Sequence, residues 1–97
     1  MEDFVYYAEL FAIYKDLLNL SNCKYYSLYY EENLSLQEIA ELEKVSKSYV
    51  GNIINKTTKK LAELEDVLKV YEHKQLLRQC LKSDDIKNIK KVIESIL

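Results

Sequence analysis

The chain has no proline, no tryptophan, one glycine (Gly51) and one arginine (Arg78) in 97 residues. Proline and glycine break helices and punctuate turn-rich β folds, so their scarcity favours continuous helices. No apolar run approaches the ~20 residues of a membrane span. The opening stretch MEDFVYYAEL is acidic and matches neither a secretory signal nor a transit peptide. Cys23 and Cys80 lie far apart and outside any CxxC pair. They read as reduced thiols of a cytoplasmic protein rather than as a disulfide.

Further absences bear on chemistry. His73 is the only histidine and has no cysteine or acid at ligand spacing, so no metal site is expected. There is no nucleophile–base–acid set, no phosphate-cradling loop and no acid pair in an apolar setting. The expectation is a protein that is not an enzyme and needs no cofactor. A net charge of −2 and a pI near 5.4 remove any whole-molecule argument for nucleic acid. Such a function must rest on how charge is distributed.

What is present is helical periodicity. Phe4, Tyr7, Ala8, Phe11, Tyr14 and Leu18 recur at spacings of three and four. Asn19 or Ser21 can cap a second, tyrosine-rich helix ending near Glu32-Asn33. Ser35-Leu36-Gln37-Glu38 fits a capping box and predicts a short third helix with Leu36, Ile39, Ala40 and Leu42 inward. Ser46 can cap a fourth, whose stripe Val50, Ile53, Ile54, Thr57, Leu61, Leu64 and Leu68 runs on toward Leu81. That helix is either continuous or broken once within residues 69–74. Ser83-Asp84-Asp85 predicts a last cap, before the stripe Ile86, Ile89, Val92, Ile93, Ile96 and Leu97. The fold class expected is all-α, a single domain over residues 1–97 with five or six helices.

Charge divides this chain sharply. Residues 1–43 hold nine acids and two bases, and residues 63–97 hold seven of each. Between them, residues 44–62 hold Lys44, Lys47, Lys56, Lys59 and Lys60 and no acid. This one positive segment coincides with the second half of a helix–corner–helix pattern over about residues 35–61. A helix-turn-helix needs a small residue on its first helix, an apolar corner residue and apolar anchors on its second. Ala40, Val45 and Val50 with Ile53 or Ile54 meet those needs. Lys47, Ser48, Tyr49, Asn52, Asn55, Lys56 and Lys59 are then left to face outward. Asparagine can read adenine, lysine can meet guanine or phosphate, and Tyr49 can meet a backbone phosphate or sugar. Two residues fit less well. Lys44 occupies the corner where glycine is usual, and Gly51 stands in mid-helix, where it either weakens the helix or admits a close approach by DNA or another helix.

The segments LFAIYKDLL, KYYSLYYEENLSLQEIAE and VSKSYVGNIINKTTKKLAELEDVLKVY, over about residues 10–81, resemble the YlxM family of bacterial helix-turn-helix proteins. Genes of that family neighbour the gene for the signal recognition particle GTPase. The same block resembles, more distantly, the −35-reading region 4 of sigma factors. The resemblance implies a sigma region 4-like helix-turn-helix, a long fourth helix and a helical extension over about residues 62–97. It also implies either a regulator that binds double-stranded DNA or an accessory of the signal recognition particle pathway. Ser35, Glu38, Ile39, Ala40, Val45, Ser46, Val50 and Ile54 fall on the family pattern. Lys44 and Gly51 depart from it. The runner-up function is an adaptor for the particle's GTPase or RNA, using the acidic, tyrosine-rich front half or the stripe of the last helices. That stripe can pack on the first helix or on a second copy, so a homodimer is a further expectation.

Overall fold

Every helix after the first starts where a particular side chain closes the backbone. The computed structural model describes residues 2–97, which form six α-helices and no strand. These are α1 (Glu2–Tyr14, continued by a 3₁₀ turn, Lys15–Leu17), α2 (Leu20–Tyr30), α3 (Leu36–Glu43), α4 (Lys47–Leu68), α5 (Val70–Leu81) and α6 (Ile86–Ile96). Of the two candidate caps for α2, Asn19 does the work, its Oδ1 accepting the Asn22 amide at 2.8 Å. The capping box of α3 is complete. Ser35 Oγ accepts the Glu38 amide at 3.1 Å, and Glu38 Oε1 accepts the Ser35 amide at 2.9 Å. The Ser35 amide, donating to that carboxylate, holds Glu38 below its ordinary pKa. Ser46 caps α4 and Asp85 caps α6.

The core is built around α4, which packs against α1, α2 and α3. Leu10, Phe11 and Tyr14 from α1 and Tyr25 and Tyr26 from α2 meet Ile39 and Ala40 of α3. Val50, Ile53, Ile54 and Leu61 of α4 complete the cluster. The first-helix stripe is therefore shifted from the sequence expectation. Leu10 is fully buried, whereas Phe4 lies at the rim, stacked on Tyr30 at 4.6 Å between ring centroids. Leu42 also faces solvent, because α3 is only eight residues long and buries just Ile39 and Ala40.

The long fourth helix breaks at a single residue. Lys69 adopts a left-handed conformation (φ 54°), and α5 starts at the next residue. Nothing local to Lys69 explains the break; Glu65 does. Its side chain is buried, and its Oε1 accepts the Tyr14 hydroxyl at 2.6 Å and the Tyr71 amide at 3.0 Å. Its Oε2 accepts the Glu72 amide at 3.1 Å. The Tyr14 hydroxyl in turn accepts the Val70 amide at 3.1 Å. Three free amides at the start of α5 are thus satisfied by α4 and α1 together, where no side chain of its own caps that helix. Burial, and then the bond to Glu65, push the Tyr14 phenol above its usual range.

Beyond this joint, α5 packs on α1, and α6 packs on α5. The result is a rod of 56 × 22 × 17 Å with a radius of gyration of 16.9 Å. A compact chain of this length would have a radius near ~12–13 Å. The excess is the α5–α6 hairpin projecting from the four-helix core.

Candidate nucleic-acid interface

The corner between α3 and α4 comprises Lys44, Val45 and Ser46. The amides of Lys44 and Val45 both turn back to the carbonyl of Ala40. Ala40 is itself buried, so a larger side chain there would push the two helices apart. Lys44 takes the left-handed conformation (φ 58°, ψ 46°) that glycine usually supplies. The corner is therefore built in the expected shape with a costlier residue, by about 1–2 kcal/mol. Val45 is half-buried against the core.

From this corner α4 runs outward with one face committed to the core: Val50, Ile53, Ile54, Thr57 and Leu61. Lys47, Ser48, Tyr49, Asn52, Asn55, Lys56 and Lys59 are all exposed. At 100° per residue, Ser48, Asn52, Asn55, Lys56 and Lys59 share an arc of about 100° opposite the core. Tyr49 borders that arc. Its ring packs edge-on against Tyr25 (6.0 Å, 80°), so its base is fixed by α2. Lys47 lies off the arc, at the first residue of the helix beside the corner. Lys60, absent from the candidate set, is exposed on the edge next to Tyr49; its angle around the helix was the signal that could have included it.

Charge on this face is unopposed. Among the described residues, no ion pair reaches Lys44, Lys47, Lys56, Lys59 or Lys60. Glu43, the acid nearest the corner, is engaged by Lys24 at 2.6 Å, which raises the pKa of Lys24. The positive stretch ends at Lys60, because Glu63 and Asp66 occupy the same outward arc further along. That leaves roughly 20 Å of helix without an acid, with its lysines at the start (Lys47) and at the end (Lys56, Lys59 and Lys60). Ser46 Oγ accepts the Tyr49 amide (3.1 Å) and also shares a long hydrogen bond with Ser48 Oγ (3.4 Å).

Gly51 does not serve the helix crossing. A Cβ there would meet only Leu36 Cδ1, at 3.9 Å, an ordinary contact. Of the two close approaches that a glycine could admit, the one to another helix of the same chain is excluded.

This arrangement of α3, corner and α4 is a helix-turn-helix, and a family model described as "Putative helix-turn-helix protein, YlxM / p13 like" matches residues 1–96. The chain belongs to this family. A UPF0122 protein of Ureaplasma urealyticum serovar 10 is 45% identical over 51 residues, covering 53% of this chain and 52% of that protein. A Mycoplasma mycoides protein described as a probable UPF0122 protein is 48% identical over 52 residues, 54% of this chain and 46% of its own. A UPF0122 protein of Clostridium botulinum (strain Alaska E43) is 39% identical over 59 residues, 61% of this chain and 54% of its own. The chain thus aligns with about half the length of these relatives. Among the described residues of this YlxM/p13-like chain, no helix is long and apolar enough to cross a membrane.

Proposed function

We propose that this chain is a DNA-binding regulatory protein that lays α4 in the major groove of double-stranded DNA and catalyses no reaction. The observation that carries the reading is the exposed, ion-pair-free face of α4. Lys47, Lys56 and Lys59 neutralise phosphates or meet guanine, Asn52 and Asn55 read base edges, and Ser48 and Tyr49 contact the backbone. Lys44 and Lys60 add charge at either edge. If all five lysines meet phosphates, log K falls with log salt at a slope of about −4 to −5. Replacing both Lys47 and Lys56 with Glu should abolish retention on immobilised duplex DNA at low salt. Unchanged retention by that variant would remove α4 as the contact. Selection from a random DNA pool tests sequence reading, because an enriched motif requires base contacts.

The exposed apolar stripe of α5 and α6 supports a second reading, an adaptor for the signal recognition particle GTPase or its RNA. The tyrosine-rich front half supports it less, because Tyr14, Tyr25 and Tyr26 are buried in the core. Retention on the GTPase alone, indifferent to salt, would favour the adaptor over the DNA-binding protein.

A further inference from the structure

The α5–α6 hairpin carries more apolar surface than its own chain covers. The six apolar residues of the α6 stripe occupy one side of an otherwise polar helix, yet none of them is buried. Between the helices lies an open trough of ≈ 520 Å³ walled by Leu77, Leu81, Ile89 and Ile93 and rimmed by Lys74 and Arg78. Ile86 and Leu97 continue the same edge of α6, seven residues before Ile93 and four after it.

We infer that this trough is the homodimer interface, in which the α5–α6 hairpins of two copies close into a four-helix bundle. The inference does not depend on DNA binding by α4. Area is the first support. Leu77 (43% exposed), Leu81 (87%), Ile86 (67%), Ile93 (40%) and Leu97 (98%) stand open to solvent. Together they leave roughly 600 Å² uncovered per copy, so pairing removes about 1,200 Å², the lower bound of a specific interface. Charge is the second support. Lys90 and Glu94 are both exposed, on the same flank of the stripe. When α6 packs antiparallel to its own copy about a two-fold axis, like flank meets like flank, and Lys90 of each copy faces Glu94 of the other. The rim then offers two ion pairs, with Lys87 of each copy further from the seam on the same flank.

The test is the mass of the full chain in solution, by light scattering across a dilution series from tens of micromolar downward. Twice the 11.5 kDa chain mass is expected at the upper end. Leu81→Glu and Ile93→Glu, each placed where the single copy already exposes the side chain, should give the monomer mass with unchanged helical circular dichroism. Lys90→Glu and Glu94→Lys should each shift the dimer–monomer midpoint at least several-fold toward monomer, and the double swap should restore it. A wild-type chain that is monomeric throughout overturns the inference, as does a dimer that survives Leu81→Glu and Ile93→Glu. So does a monomer whose hairpin is retained by the signal recognition particle GTPase, since the face then belongs to that partner.

Discussion

Three non-glycine residues, Asn33, Lys44 and Lys69, sit in the left-handed region, while the one glycine sits in an ordinary helix. The chain thus places its conformationally free residue where the backbone does not need it. Gly51→Ala should raise stability by about 0.5–1 kcal/mol, measured by urea denaturation, because the added methyl meets only ordinary contact. If the same variant loses affinity for duplex DNA while gaining stability, the glycine serves a close approach to the ligand. At Lys69 the reverse change is favourable. Lys69→Gly relieves about 1–2 kcal/mol of left-handed strain against the entropy cost of a glycine, for a net gain of a few tenths to 1 kcal/mol. Its exposed pair with Glu72 (3.7 Å) contributes little to offset that gain.

At the scale of the element, the caps and the helix-turn-helix were legible because their signals are local. Ser35 with Glu38, Ser46 before the basic run and Asp85 before the last stripe each name a helix start within three residues. Ala40 and Val45 were legible because a tight corner tolerates few residue types. The end of α4 was legible only in part: a single break within residues 69–74 was one of two alternatives, and the structure takes it at Lys69. The residue that ends it, Lys69, carries no turn signal, and the group that organises the break, Glu65, reads in sequence as one more surface acid. Its partners lie on α1 and α5, the farthest 51 positions away. Leu10 was passed over for Phe4 because both fit a helical stripe, and only tertiary packing sets the rotation of α1. The candidate DNA contacts follow from the angle around α4, which is periodicity, although Lys47 is off the shared arc. Glu65→Ala should cost about 2–4 kcal/mol, since it strips a helix start of its acceptors and leaves the Tyr14 hydroxyl without its partner. Amide hydrogen exchange at Tyr71 and Glu72 should accelerate first. Slow exchange there in the variant would show that α5 is held by its packing alone.

For the whole molecule, the aromatic core couples folding to alkaline pH. Burial raises the Tyr14, Tyr25 and Tyr26 phenols above the ordinary value of 10.0, Tyr26 most strongly. A phenol whose folded pKa is raised favours the neutral form, so its stabilisation is complete below about pH 10 and is lost as pH rises above that. Helical circular dichroism should therefore hold to about pH 10 and collapse above it, with tyrosinate absorbance rising cooperatively at the same midpoint. Tyr26→Phe removes the most strongly shifted group, while Thr58 Oγ keeps its bond to the Ile54 carbonyl. Its stability should fall less steeply with pH above 10 than that of the wild type. Equal slopes would mean that Tyr26 ionises without unfolding the chain.

The joint at Lys69 also sets a phase. α4 turns its cationic side by the register of its first turns, and α5 turns its apolar side by the residue at which it restarts. One residue inserted between Leu68 and Val70 would swing the hairpin by about 100° relative to the basic helix and draw the Val70, Tyr71 and Glu72 amides off the Tyr14–Glu65 clasp. Two surfaces that share no side chain are thus clocked against each other by a single backbone reversal, and the angle between them is set by chain length rather than by any contact between them.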